Sequence, residues 1–331
     1  MKKNLKYIGK IIFLLNFAFF WFACEKFDRS VSFEQIIVDN LMNINDVIVQ
    51  GNDTILVCGG VENEKGMVYL SPNNGVTWQR VYENDNASLY CLYNLNDSVL
   101  YSGGNNFCYI QSTDNGQNWQ PAVFPNKPWG TDSTLTIKSI SYKAKRHGSF
   151  VAGDLYYSGI FANILPTEYS IIYNSYSSEL AFVSECYNNF YIAGGNGVIF
   201  KKKMPEEEVE YFSIENDFFT SITTFNKEDF FVSGYNGGIY KINSSSMQVE
   251  TLLKPNGMFG ERLHFKNITA FFSETLVACG EDGVIYFSEN KGFTWEKIEP
   301  FTNACLNKVI FTNNKFLFAS ENGSLFFSDL K

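Results

Sequence analysis

The chain has 331 residues, with 26 lysines and arginines against 35 aspartates and glutamates, 17% aromatic side chains and a formal net charge of −9. Four of the lysines lie in the first ten residues. The rest therefore carries 22 basic against 35 acidic groups, a balance of −13 that opposes phosphate backbones and argues against a nucleic-acid partner. Aromatic and β-branched residues dominate, turn residues recur often and no long stretch has a 3.6-residue period, which points to an all-β class.

In chain order, Lys2, Lys3, Lys6 and Lys10 precede an apolar run at 11–23. Thirteen residues suit a signal-peptide core and fall short of the roughly 20 that a membrane-spanning helix needs. The run ends in Trp21-Phe22-Ala23-Cys24. A small residue followed by cysteine resembles the processing site of bacterial lipoproteins. The resemblance implies a removed signal peptide (1–23), a lipid on Cys24 and a tether (24–32). It also implies residence in the bacterial envelope, attached to a membrane through the lipid alone. An ordinary signal peptide or an uncleaved anchor is the alternative.

Residues 33–331 read as one repeating domain. Short strands ending in a small residue recur: Ile55 to Cys58, Val99 to Ser102, Phe150 to Ala152, Tyr191 to Ala193, Phe230 to Ser233, Leu276 to Cys279 and Phe316 to Ala319. Their spacings are 44, 50, 41, 40, 46 and 40 residues, the period of a propeller. In the first unit four strands are expected, at 46–50, 55–58, 67–70 and 78–82. The last unit runs out of chain after its third strand, while the segment 33–38 precedes the first unit and belongs to none. The expected fold is a seven-bladed β-propeller of four-stranded blades, closed because the N-terminal strand completes the last blade. Such closure removes open sheet edges.

One phrase is written three times between third and fourth strands. It reads Ser71-x-Asn73-x-Gly75-x-x-Trp78, Ser112-x-Asp114-x-Gly116-x-x-Trp119 and Ser288-x-Asn290-x-Gly292-x-x-Trp295. The glycine suits a turn with positive φ, the Asp or Asn a side-chain bond to its own turn, and the indole a gap between blades. The phrase resembles the Asp-box, or BNR repeat, of sialidases and other glycoside hydrolases, with Asn in two of three copies. Together with the strand–small–Gly and G-x-[IV]-[YF] patterns, it is similar to the photosystem II assembly and stability factor family of seven-bladed propellers. That resemblance implies binding of a protein partner rather than catalysis.

Catalytic constellations are scarce. Sialidase chemistry needs three clamping arginines. Past Cys24 the chain has Arg29, Arg80, Arg146 and Arg262, of which Arg29 precedes the fold and Arg80 falls in an outer strand. His147 and His264 sit at no metal-ligand spacing, and no cofactor is expected. Cys58 and Cys279 read as small buried fillers. Cys91 and Cys108 share a blade and form a candidate disulfide in an oxidising envelope. The glycine pairs at 59–60, 103–104 and 194–195 read as turn glycines. The run of lysines at 201–203 against glutamates at 206–208 reads as a solvated hairpin. Asp53-Thr54-Ile55, Asp97-Ser98-Val99 and Asp132-Ser133-Thr134 resemble a bacterial O-glycosylation acceptor and read equally as turns.

The longest inter-blade links, 125–134 and 254–266, project from one face and carry Trp129, Met258, Phe259, Arg262 and His264. These are candidate partner-binding residues, with Trp129 and Phe259 as local caps the competing reading. The function expected is a non-catalytic, envelope-anchored propeller that binds or scaffolds a protein. The alternative is a carbohydrate-active protein, glycan-binding or a divergent hydrolase. Converging carboxylates and aromatic platforms would favour sugar, and an apolar, loop-rimmed face would favour protein.

Overall fold

The computed structural model describes residues 31–330, apart from 97, 123–135, 144–147, 156–157, 165–168, 176–179, 187–188, 204–208, 214–216, 227 and 255–262. Among the described residues are seven antiparallel sheets of four strands. Sheet 1 comprises Asn43–Gln50, Thr54–Val61, Lys65–Ser71 and Gln79–Asn84. Sheets 2 to 5 follow over 89–121, 136–175, 180–213 and 219–253, and sheet 6 spans 265–298. Sheet 7 takes three strands from the end of the chain, Leu306–Thr312, Lys315–Ser320 and Ser324–Ser328. Its fourth is Phe33–Ile37, which pairs Phe33 with Ser328 and Ile37 with Ser324. The pairing expected of the N-terminal strand is therefore present.

Inner strands such as Thr54–Val61, Lys65–Ser71 and Ser324–Ser328 are buried on both faces because neighbouring sheets cover both sides. Ser324–Ser328 is buried at all five positions, and six of the eight residues of Thr54–Val61 are buried. The core lies between sheets. One cluster joins Val57 and Tyr69 of sheet 1 to Leu317 and Phe327 of sheet 7; another joins Val277 and Phe287 of sheet 6 to Phe318 and Phe326 of sheet 7. Each sheet's first strand lies against the first strand of the next, and Leu306–Thr312 of sheet 7 lies against Asn43–Gln50 of sheet 1.

Every first strand carries a bulge at the same place. Asn45, Tyr90, Lys138, Ala181, Thr220, Lys266 and Asn307 each lack an opposing residue in their second strand. A bulge twists the strand and re-aims the extra residue. Here the bulge and its neighbour stitch sheet to sheet. Asn307 Nδ2 donates to Ile44 O at 2.9 Å, and Asn45 Nδ2 donates to Leu89 O at 2.7 Å. One position on, Asp46 Oδ2 accepts from Leu92 N at 2.9 Å and Asn267 Oδ1 accepts from Val309 N at 3.2 Å.

The three repeated phrases fold alike. The serine Oγ accepts from the glycine N–H at 2.7, 2.9 and 2.8 Å, and the Asn or Asp Oδ1 accepts from the backbone N–H four residues on, at 2.9 Å each time. The partner four residues on matches the residue at the Asp position. Asp114, an acceptor, takes Asn118 Nδ2 at 2.7 Å, whereas Asn73 and Asn290 donate Nδ2 to Thr77 and Thr294. The turn needs two successive residues at positive φ, Asn74-Gly75, Asn115-Gly116 and Lys291-Gly292. Each indole immediately precedes its fourth strand and is half-buried. Trp78 packs on the core between sheets 7 and 1, and Trp119 on that between sheets 1 and 2.

Gly116 also approaches its neighbour closely: a Cβ there would lie 2.4 Å from Leu56 Cδ2 of sheet 1, at φ 81°. Gly51, at φ 59°, has open space around it. Gly116→Ala is thus expected to cost more than Gly51→Ala, which bears only the conformational strain of about 1–2 kcal/mol. Denaturation midpoints of the two variants check the order.

Several expectations change. Cys91 and Cys108 are free thiols, not a disulfide. Burial pushes the Cys108 thiol up to about 11, and Cys91 donates instead towards Gly103 O and Ile137 O. Cys58 and Cys279 are buried as expected. Gly59, Gly60, Gly103, Gly104 and Gly194 lie in strands rather than turns, and at Gly59 the first strand passes so close that a Cβ would fall 1.7 Å from Asn43 O. Lys201 is not solvated. Strand alternation turns it towards sheet 5, where Nζ donates to Ser244 O at 3.2 Å.

Candidate functional site

Antiparallel order puts the inter-sheet links and the second-to-third-strand turns on one face. Several of these turns are tied to the link residue before their own first strand. Asn105 N donates to Ser88 O, Tyr235 N to Phe218 O, Glu281 N to His264 O and Glu321 N to Cys305 O. This frame holds open a polar cavity of ≈ 320 Å³ lined by Asn43, Asn45, Lys266, Glu281, Asp282, Asn303, Cys305, Asn307 and Glu321. Asn45, Lys266 and Asn307 are bulge residues of sheets 1, 6 and 7, so the cavity opens among the first strands.

Its electrostatics are acidic with one counter-charge. Lys266 Nζ lies 3.1 Å from Glu281 Oε1, and Tyr235 Oη donates to the same oxygen at 3.1 Å. Burial opposes ionisation of Glu281, yet the Lys266 ammonium and the Tyr235 hydroxyl hold its carboxyl below the usual range. Burial and the Glu281 charge push the Tyr235 phenol up. Lys266 also sits 5.0 Å from the centre of the Tyr235 ring. Asp282 is exposed on its turn, and Glu321 Oε1 accepts from Cys305 N at 3.0 Å. Burial pushes the Cys305 thiol up to about 12, so it is no thiolate nucleophile near neutrality.

Of the candidate binding residues, His264 lies on this face. Its ring stacks on Tyr235 with centroids 4.3 Å apart, and Nδ1 is 2.7 Å from Tyr235 O. Trp129, Met258, Phe259 and Arg262 lie outside the described residues. Glu281, Asp282, Glu321 and the four asparagines were not anticipated. A column of apolar–variable–polar triplets in the first strands, such as Ile44-Asn45-Asp46, Phe265-Lys266-Asn267 and Leu306-Asn307-Lys308, was the available signal. Among the described residues no group of three or more His, Cys, Asp or Glu is placed to hold a metal ion.

No protein-family description matches this chain, and no curated protein sequence does. Solved structures do match in fold. YCF48 from Cyanidioschyzon merolae superposes with a TM-score of 0.68 at 12% identity, over 89% of this chain and 98% of its own. A second structure, YCF48 bound to D1 peptide, matches with a TM-score of 0.68 at 12% identity, over 90% and 97%. A catalytically inactive virginiamycin B lyase from Staphylococcus aureus with quinupristin gives a TM-score of 0.72 at 14% identity, over 91% and 100%. The WD40 β-propeller domain of Doa1 also matches, with a TM-score of 0.65 at 13% identity over 91% and 98%. This chain is a β-propeller. Its matches include both a propeller solved with a peptide and a lyase.

Proposed function

We propose that this protein is a non-catalytic, seven-bladed propeller, closed by its N-terminal strand, that binds a protein partner on the link face. It is held in the bacterial envelope by a lipid on Cys24. The observation that carries the reading is the cavity among the first strands. Three carboxylates face one ammonium there, so an approaching cation is favoured, and four asparagines offer donors and acceptors to a peptide backbone. The preferred ligand is an extended partner segment bearing a lysine or arginine. That a similarly folded protein has been solved with a peptide supports this reading. The S-x-[DN]-x-G-x-x-W turns are read as Asp-boxes that secure the ring and take no part in binding.

A glycan is the second reading. The same amides and carboxylates, beside the stacked Tyr235 and His264 rings, suit hydroxyl groups and match the features expected of a sugar site. The peptide is ranked first because a propeller of similar fold has been solved with one.

Asp282→Asn with Asn303→Leu changes exposed cavity residues without touching a described hydrogen bond. Capture of envelope proteins on the lipidated full chain is expected to fall about tenfold for the variant, roughly 1.4 kcal/mol. Unchanged capture of every protein contradicts the reading. Retention of soluble oligosaccharide, lost in the variant, selects the glycan.

A further inference from the structure

The face opposite the cavity has a different character. Between sheets 6 and 7 it holds an aromatic groove of ≈ 460 Å³ lined by Phe272, Phe287, Phe311, Phe316 and Leu330 together with Thr275, Glu289 and Asn314. Phe272 is 70% exposed, with its ring 4.9 Å from that of Phe311. Two further apolar tips stand on this face, each the residue after the turn glycine: Phe293 in sheet 6, 68% exposed, and Val76 in sheet 1, 77% exposed. Sheet 2 has Gln117 at the equivalent place. Phe272, Phe293 and Val76 thus flank sheet 7, whereas the exposed Ile37 and Leu41 stand at its link end and Val249 in sheet 5.

Sheet 7 is also where the N-terminal part of the chain joins the fold. Phe33 pairs with Ser328, Ser32 Oγ donates to Asp329 Oδ2 at 3.2 Å, and Val31 packs in the cluster that contains the groove residue Leu330. The strand order places all of these at the groove end of sheet 7. From Cys24 to Val31 the extended chain reaches about 25 Å, less than the roughly 30 Å diameter of a small domain. A tether that short, leaving from this face, leaves no room for a folded partner between the face and the bilayer.

We propose that this apolar face, with Phe272, Phe293 and Val76, rests on the lipid surface, so that the cavity opens away from the membrane. Exposed aromatic side chains beside a lipid anchor supply the second signal that a single anchor requires for stable attachment. The proposal rests on the lipoprotein reading of Cys24.

The test uses the lipidated full chain in phosphatidylcholine vesicles containing a nitroxide-labelled lipid. A fluorophore is placed by Phe272→Cys, Phe293→Cys or Asp282→Cys in a chain carrying Cys108→Ser and Cys186→Ser; the thiols Cys58, Cys91, Cys279 and Cys305 are buried. Quenching is expected to be several-fold stronger at positions 272 and 293 than at 282. Equal or reversed quenching in vesicle-bound protein overturns the orientation and leaves the anchor reading standing. Protein that fails to sediment with vesicles, with Cys24→Ala behaving as the parent, overturns the anchor reading and the orientation together.

Discussion

Asp46→Ala is expected to destabilise the protein by about 3–5 kcal/mol, the range for removing one partner of a buried, hydrogen-bonded charge pair. Asp46 is 6% exposed and belongs to sheet 1. One carboxylate oxygen accepts from Leu92 N of sheet 2 at 2.9 Å; the other accepts from Val47 N and lies 3.4 Å from Lys308 Nζ of sheet 7. Three sheets therefore meet at one side chain. Alanine leaves a buried N–H and a half-buried ammonium without that partner. Asp46→Asn keeps an acceptor for Leu92 and removes the charge, so its cost is expected to be smaller, about 1–2 kcal/mol. Equilibrium urea unfolding at neutral pH measures both. A loss below 1 kcal/mol for the alanine variant would show that the carboxylate is solvated rather than binding the sheets together.

The second large effect concerns the N-terminal strand. Its alternate residues face opposite neighbours, because successive side chains of a strand point to opposite sides. Phe33 stacks on Phe301 at 3.6 Å and meets Phe318 edge-on, within the core between sheets 6 and 7. Ile36 packs into the core between sheets 7 and 1, close beside Gly75. Both side chains are half-buried, so each alanine replacement is expected to cost about 2 kcal/mol, the low end for large-to-small core changes. Phe33→Ala with Ile36→Ala is expected to sum to about 4 kcal/mol, since the two lie in separate cores. Freed from its partner, Ser324–Ser328 becomes an open edge carrying Leu325, Phe326 and Phe327, so light scattering during unfolding is expected to rise. Glu34→Ala, at an exposed position of the same strand, is expected to change neither quantity.

The parts of the fold legible in the sequence are those that repeat. The small residue ending each second strand, as at Cys58 and Cys279, marks a position where sheets crowd together. The Ser–Asx–Gly–Trp phrase could be read as a turn because its bonds are made within eight residues. The stray strand at the N-terminus was legible by subtraction, since the last unit lacked a strand and the first had one to spare. The cavity was not. Asn45, Lys266 and Asn307 are brought together only by the packing of sheets 1, 6 and 7, and the triplet column that marks the bulges does not say which of them line a cavity. Glu281, Asp282 and Glu321 sit in turns whose composition is that of any turn. Of the link-face candidates chosen for their residue types, only His264 lies among the described residues, on the face where the cavity opens but not in its lining.

Phe33–Ile37 is expected to be a permanent member of the last sheet. Native-state amide hydrogen exchange on the full chain tests this directly. The amides of Phe33–Ile37 that face Ser324–Ser328 are predicted to exchange as slowly as those of Leu306–Thr312 in the same sheet, opening only with global unfolding. Exchange of those amides at free-chain rates, while Leu306–Thr312 stays protected, would contradict it.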